Sequence, residues 1–485
     1  MSTPLTLIDF YKADHRSQYP KGTTTVFSNW TPRKSRIPDI DKVVLFGLQY
    51  FVAEYLVTRW NREFFDQPKD KVVNKYKRRM TNAGINIDVD HIEALHDLGY
   101  LPIEIQALPE GTEVPIGVPM FVMWNTQPEF FWLTNYLETS ISSIIWGPST
   151  SATIAREYRR IIDHWTAETG GNPEFVDWQG HDFSYRGMYG TEAAMLSGAG
   201  HLLSFTGTDT VPAIDFMEDY YRADSDTELI GGSVPATEHS VMCMGTQDDE
   251  VETFRRLITD TYPSGIVSIV SDTWDYWKVW TDYLPQLRDV ILNRDGTVTI
   301  RPDSGDPVLI LVGDPDAPVG SPAYRGSFEL AWEVFGGTIN DKGFKVLDPH
   351  INLIYGDSIT TERCEAICAG LAAKGFVPGN VFGIGSYTYQ YNTRDTFGFA
   401  MKATAGVVDG ELREIFKDPV TDDGTKRSAR GLLSVNRDDN GELVLKEQAT
   451  WEEVHNCAFE PVFRDGEVLR TETLSDIRAR LKAAA

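Results

Sequence analysis

The sequence predicts an α/β protein: an irregular β/α barrel, with a second α+β domain assembled from both chain ends. Three observations carry that expectation. Between residues 171 and 390, short apolar or β-branched runs alternate with amphipathic stretches, the pattern of a parallel sheet wrapped by helices. Each run ends in Gly, Asp, Ser or Arg, and the C-terminal strand ends are where a barrel gathers its chemistry. The flanks, residues 1–170 and 391–485, lack the alternation and are assigned together to the second domain.

In residues 1–170, "FFWLTNYLETSISSIIW" predicts long aromatic helices and "LPIEIQALPEGTEVPIGVPMFVMW" a turn-rich β segment. Across the barrel, "LLSFTGTDT" leads to Asp209, "GIVSIVSDTWD" to Asp272, "TVTIRPDSG" to Asp303, "INLIYGDS" to Asp357 and "NVFGIGS" to Ser386. Between these runs Val251, Phe254, Leu257 and Ile258 mark an amphipathic helix. Cys364, Ile367, Cys368 and Leu371 repeat at i, i+3, i+4 and i+7, so both cysteines belong to an apolar helix face rather than to a metal. After residue 391, "VVDGELREIF" and "NRDDNGELVLKE" predict hairpins turning at Asp-Gly and Asn-Gly.

With 41% hydrophobic and 24% charged residues among 485, the composition is that of an ordinary globular chain without low-complexity stretches. The formal charge of -26 repels phosphate backbones and argues against nucleic acid as a partner. A small anionic substrate would need a local group of Arg and Lys. Four cysteines are too sparse for a disulfide scaffold, and no charged-then-apolar leader precedes "MSTPLTLIDFYKADH". No apolar run approaches the ~18 residues of a membrane span, so a cytoplasmic protein without membrane contact is expected.

No Walker A loop, Zn-spaced Cys/His set or nucleophile elbow occurs, and "GIGSYT" carries Thr388 where a dinucleotide fingerprint needs its third Gly. What remains at the strand ends is Arg186, Asp209, His239, Asp272, Arg301, Asp303, Asp357 and the turn from Gly383 to Ser386, with Arg394 following. Guanidinium forks and the exposed N–H groups of a Gly-rich turn bind phosphate, and carboxylates among them suit a sugar diol or Mg²⁺. Together they describe a sugar-phosphate site. The stretch "TIRPDSGDP", residues 299–307, is then either a solvated strand-to-loop turn or one wall of that site.

Eight collinear stretches carry a resemblance: "DFYKADHRSQYP", "LPIEIQALPEGT", "HDFSYRG", "GTDT", "SVPATEHS", "VSIVSD", "IRPDSGDP" and "FKDPVTDDGTKRSARG". From residue 9 to about 475 the chain resembles the nicotinamide phosphoribosyltransferase family, type II phosphoribosyltransferases of NAD salvage. The resemblance implies transfer of a 5-phosphoribosyl group from phosphoribosyl pyrophosphate to nicotinamide, giving nicotinamide mononucleotide and pyrophosphate. It also implies Mg²⁺, ATP as a co-substrate, and a homodimer with shared active sites. The chemistry agrees, because a pyridine nitrogen attacks with its lone pair and has no proton to lose, so neither general base nor protein nucleophile is required.

Carried over by position, Phe183 and Tyr11 of the partner subunit sandwich the nicotinamide ring, Asp209 accepts from its carboxamide, Arg186 donates to the carbonyl side, and Ser268 lies nearby. The resemblance assigns Arg301 to phosphate, Asp303 and Asp357 to ribose hydroxyls or Mg²⁺, and the backbone of Gly356, Gly385 and Ser386 to the sugar and its 5′-phosphate. Arg33, Arg394, Lys402 and Lys417 correspond to a pyrophosphate-side lining, and His239, oriented by Asp272, to a histidine phosphorylated by ATP. His239, Asp272, Arg301 and Asp303 form the implied catalytic set. Where the family runs glycines through its phosphate turn, this chain has Ser386 and Tyr387. Two alternatives stay open: nicotinate phosphoribosyltransferase, which shares the barrel, and a non-catalytic interaction protein on the same fold.

Overall fold

The computed structural model describes residues 3–417 and 429–483. Most of "FKDPVTDDGTKRSARG", from Asp418 to Ser428, lies outside the described residues. The chain divides into two compact units. One comprises Met1–Thr153, Phe216–Ala223 and Asn392–Ala485, the other Ile154–Asp215 and Asp224–Tyr391.

The first unit is organised on an antiparallel sheet. Its central strand, Thr23–Thr31, pairs with Ala400–Val408 on one side and Phe121–Asn125 on the other, and Ile103–Ala107 and Glu460–Arg464 extend it. Thus both chain ends contribute to one sheet. Trp30 is fully buried, with Phe121 and Phe399 stacked on it at 6.1 and 5.5 Å. The hairpin of Ala400–Val408 and Glu411–Glu414 turns at Asp409 and Gly410, whose φ values of 53° and 81° supply the two left-handed residues of a tight two-residue turn. The hairpin of Leu432–Arg437 and Leu443–Ala449 departs from the expected Asn-Gly turn. Its loop is wider, and Asp438 Oδ1 accepts the N–H groups of Asn440 and Glu442 while Gly441 takes the positive φ. Among the described residues no helix is long and apolar enough to cross a membrane.

The second unit is the barrel. Its parallel strands run side by side in the order Gly207–Thr208, Gly180–Asp182, Val381–Ile384, Ile351–Tyr355, Val298–Arg301 and Val267–Val270. The ring closes through the extended 232–237 segment, which bridges Gly207 at Gly232 and Ser268 at Ala236, both in the parallel sense. Pro235 tolerates this place because the segment pairs through other N–H groups, Gly232 to Thr206 O at 2.8 Å and Thr237 to Ser268 O at 2.9 Å. Chain order and ring order therefore coincide, as successive β/α units require.

Helices pack outside this ring. Thr361–Ala373 buries Cys364, Ile367, Cys368 and Leu371, and both cysteines are free thiols. Phe254, on Glu250–Arg256, and Leu257 and Ile258 of the following turn are buried as well. Behind the start of the Val267 strand, the buried Arg294 guanidinium donates to the carbonyls of Tyr262, Ser264 and Gly265 at 2.5–3.0 Å and so ties the turn together.

Candidate active site

The C-terminal strand ends open into a cavity of about 300 Å³ whose wall includes Phe183, Arg186, Asp209, Arg301, Asp303, Gly356, Asp357, Gly385 and Ser386. Nine residues expected from five separate stretches of sequence are thus brought together. A second cavity of about 320 Å³ shares Phe183, Asp209 and Arg301 and continues along the barrel lumen, where Ser268 lies with His181, Ser233 and Thr299.

Arg301 ends its strand and Pro302 stops the ladder, so the next turn is held rigidly. The guanidinium stands 3.4 Å from the Asp303 carboxylate. Burial pushes the Asp303 carboxyl up, and the opposing Arg301 charge only partly offsets it. The neighbouring loop comes close: a Cβ at Gly356 would lie 1.9 Å from Asp303 Oδ1. Tyr355 fastens the same turn from below, donating its hydroxyl to the carbonyls of Ser304 and Gly305 at 2.8 and 2.9 Å. The third charged residue of "TIRPDSGDP" has a different task. Asp306 caps the helix Pro307–Val312, its Oδ1 accepting from Val308 and Leu309 N–H.

Asp272 connects two loops. One oxygen meets His239 Nε2 at 3.0 Å and the other accepts the Asp303 N–H at 2.9 Å. Burial raises the Asp272 carboxyl, but hydrogen bonds from Ser304, the Asp303 backbone and His239 outweigh it and leave the group below the usual carboxylate range. His239 begins a short helix, His239–Met244, and is half-exposed, whereas Asp272 is buried. The histidine therefore has an oriented ring with one edge open to solvent.

Asp209 follows the short Gly207 strand. Its Oδ1 accepts from Ser233 Oγ at 2.7 Å and from His181 Nε2 at 2.9 Å. His181, on the Gly180–Asp182 strand, and Phe183, just past its end, have their rings 4.6 Å apart. Arg186, on the exposed turn Tyr185–Gly187, has no hydrogen-bond partner among the described residues. At the Gly385–Ser386 turn, Ser386 fits because residue 187 is glycine: a Cβ there would lie 1.9 Å from Ser386 Oγ. Tyr158 supports this turn and the Asp357 loop together, donating to Ile359 O at 3.1 Å with Thr388 Oγ1 at 3.2 Å.

The remaining expected residues belong to the first unit. Burial lowers the Lys402 ammonium, and the charges of Arg33, Lys417 and Arg394 lower it further against the pull of Glu138, so these four cations do form one group. Tyr11 is largely exposed, with His15 against its ring edge at 4.8 Å. Sequence reasoning missed His181, Ser233 and Tyr158. The signal for His181 was its place two residues before Phe183, a spacing that puts side chains on one face of an extended chain.

The barrel has known counterparts. Nicotinate-nucleotide pyrophosphorylase from Pyrococcus furiosus superposes with a TM-score of 0.59 at 14% identity, over 99% of this chain and 94% of that one. Human nicotinic acid phosphoribosyltransferase gives 0.52 at 15%, over 98% and 93%. These likenesses show the fold, that of the type II phosphoribosyltransferases. A family model described as the nicotinate phosphoribosyltransferase (NAPRTase) family matches residues 178–457, and one described as the nicotinamide phosphoribosyltransferase N-terminal domain matches residues 4–105. The nicotinamide phosphoribosyltransferase of Acinetobacter baylyi is 55% identical over 99% of this chain and 97% of its own, and that of Xanthomonas campestris pv. campestris 34% over 98% and 97%. The chain belongs to the nicotinamide phosphoribosyltransferases of the NAPRTase family, which are pentosyltransferases.

Proposed function

We propose that the protein transfers the 5-phosphoribosyl group of phosphoribosyl pyrophosphate to the ring nitrogen of nicotinamide, releasing nicotinamide mononucleotide and pyrophosphate for NAD salvage. The observation that carries this choice of base is Asp209. It lines the cavity beside Phe183 with its carboxyl held below the usual range: burial opposes ionisation, but the His181 and Ser233 hydrogen bonds and the Arg301 charge prevail. An ionised carboxylate accepts from a carboxamide NH₂ and repels the carboxylate of nicotinate. Nicotinate phosphoribosyltransferase, the rival on this barrel, is disfavoured on that ground. A non-catalytic protein would have no need to keep Arg301, Asp303 and Asp357 converged on one cavity.

In this mechanism Phe183 stacks on the pyridine ring while Asp209 and Arg186 fix the carboxamide, which aims the ring nitrogen at the ribose anomeric carbon. Arg301, the N–H groups around Gly356, Gly385 and Ser386, and Asp303 and Asp357 bind the phosphoribosyl part. The bond to pyrophosphate breaks as the nitrogen bond forms, and fixed charges stabilise the oxocarbenium-like ribose between them. Among the described residues no group of three or more His, Cys, Asp or Glu could hold a metal. The two carboxylates Asp303 and Asp357 in one cavity nevertheless fit Mg²⁺, which takes one or two protein carboxylates and completes its shell with phosphate and water. When bound, it would neutralise the leaving pyrophosphate.

The cation group of Arg33, Arg394, Lys402 and Lys417, with Tyr11, is assigned to the pyrophosphate side and ring face of a partner subunit's site. A homodimer suits the exposed aromatic surface of Tyr185, Tyr189, Tyr387 and Tyr391, the last two stacked at 5.2 Å. His239, held by Asp272 with one ring edge open, is assigned the ATP-derived phosphoryl group that couples hydrolysis to transfer. Four free cysteines accord with a reducing cytoplasm. The experiment is turnover of nicotinamide and nicotinate side by side with phosphoribosyl pyrophosphate and Mg²⁺, with and without ATP. Preference for nicotinamide, raised by ATP, is expected. Preference for nicotinate, or no mononucleotide from either base, refutes the assignment.

A further inference from the structure

The function proposed above uses Asp209 through one carboxylate oxygen, and the structure devotes two other side chains to the second. Oδ1 receives both His181 Nε2, at 2.9 Å, and the Ser233 hydroxyl, at 2.7 Å. Oδ2 has no hydrogen-bond partner among the described residues, and the side chain is 46% exposed toward the cavity it lines. The donors come from the two ring neighbours of the Gly207 strand: His181 from Gly180–Asp182 and Ser233 from the 232–237 closing segment. Three adjacent barrel segments therefore meet on a single oxygen.

The His181 ring is almost wholly buried, and the strand beside it is cut to receive it. A Cβ at Gly207 would lie 2.8 Å from His181 Nδ1. An apolar side chain could fill the same volume against Phe183, but only an N–H meets a carboxylate there. With the carboxylate ionised, the proton sits on Nε2. Two charge-assisted bonds on Oδ1 stop the carboxylate from rotating about its last torsion, which leaves Oδ2 in a fixed direction. They also keep the group from protonating, and a protonated Asp209 could donate to nicotinate and so abolish the discrimination.

We propose that His181 and Ser233 are positioning residues that determine base specificity, locking Asp209 by Oδ1 so that Oδ2 is presented to an amide N–H and turned against a carboxylate. This rests on the function proposed above. The test compares His181→Phe with His181→Gln, and Ser233→Ala with Ser233→Thr, the second member of each pair restoring a donor. Separate kcat and KM values are measured for nicotinamide, nicotinate and phosphoribosyl pyrophosphate, with melting temperatures as a check on folding. His181→Phe and Ser233→Ala should each raise the nicotinamide KM and lower the preference over nicotinate by about tenfold, the loss of one bond to a charged group. The KM for phosphoribosyl pyrophosphate should not move, and the Gln and Thr variants should recover most of the loss.

Unchanged nicotinamide KM and base preference in His181→Phe and Ser233→Ala overturns the proposal while leaving the function standing. So does a Gln variant as impaired as Phe, which marks a purely structural role. A wild-type enzyme that transfers to neither base overturns both.

Discussion

Replacing Glu110 by Gln should make the protein's stability less dependent on pH, by an amount the structure sets. Glu110 lies in the first unit and is fully buried. Its Oε1 accepts the Gln49 N–H at 2.7 Å and its Oε2 the Tyr221 hydroxyl at 2.8 Å. Burial, reinforced by the Glu472 charge, pushes its carboxyl from 4.5 up to about 7, against hydrogen bonds that favour ionisation. In the unfolded chain the group returns to its ordinary value. Between pH 4.5 and 7 the folded state therefore holds a proton that the unfolded state has lost, and stability falls as pH rises through this window.

From 4.5 to about 7, at about 1.4 kcal/mol per pH unit, the full effect is about 3 kcal/mol. Glutamine has the shape of the protonated acid, with an oxygen for Gln49 and an amide that donates to Tyr221. Urea unfolding followed by tryptophan fluorescence at pH 5 and pH 8 measures the difference between variant and wild type. That difference should shift in favour of Glu110→Gln by about 2–3 kcal/mol between the two pH values. A constant difference would refute the assignment of a buried, protonated Glu110, and a shift of opposite sign would mean that Glu110 is ionised and stabilising.

Three further outcomes are expected. Gly356→Ala puts a methyl 1.9 Å from Asp303 Oδ1 and must displace that carboxylate, so kcat/KM for phosphoribosyl pyrophosphate should fall roughly a hundredfold with little change in melting temperature; wild-type kinetics would show that Asp303 is not held for the reaction. His239→Ala should abolish phosphate labelling from γ-labelled ATP together with ATP stimulation, and retained label would move the phosphorylation site elsewhere. Arg294→Ala removes the donor shared by the carbonyls of Tyr262, Ser264 and Gly265, of which Gly265 keeps the Thr297 N–H, and should cost roughly 1–3 kcal/mol of stability without altering either substrate KM; unchanged stability would mean that water satisfies the turn.

The barrel strands were legible because burial on both faces demands continuous β-branched or apolar runs, as in Val298–Arg301, and because their polar ends interrupt those runs. The strand that closes the ring was not. Ser233–Val234–Pro235–Ala236–Thr237 has neither the hydrophobicity nor the donors of a strand, and it pairs only at isolated bridges. The place of Phe216–Ala223 in the first unit was hidden for another reason. Local periodicity marks the helix Pro212–Tyr221 but not the core on which part of it packs. Among site residues, charged ends of strands stood out against an apolar background. Tyr158, by contrast, works from a helix about 200 residues away in sequence from the loop it supports, and nothing local in a helical tyrosine records that contact.

The fit of Ser386 against Gly187 constrains how the Gly385–Ser386 turn can drift in evolution. Atoms of one side chain can occupy the gap between the two loops, and which loop supplies them is free. With Ser386 in place, a methyl at residue 187 meets both Oγ and, at 2.4 Å, the serine Cβ, so no rotamer change relieves it; with glycine at 386 the nearest remaining atom is the Cα, at 3.9 Å. Gly187→Ala is thus forbidden alone and permitted after Ser386→Gly. The two positions should covary among relatives as a reciprocal pair, and any transplant of a glycine-lined turn into this barrel can be judged only with both residues in view.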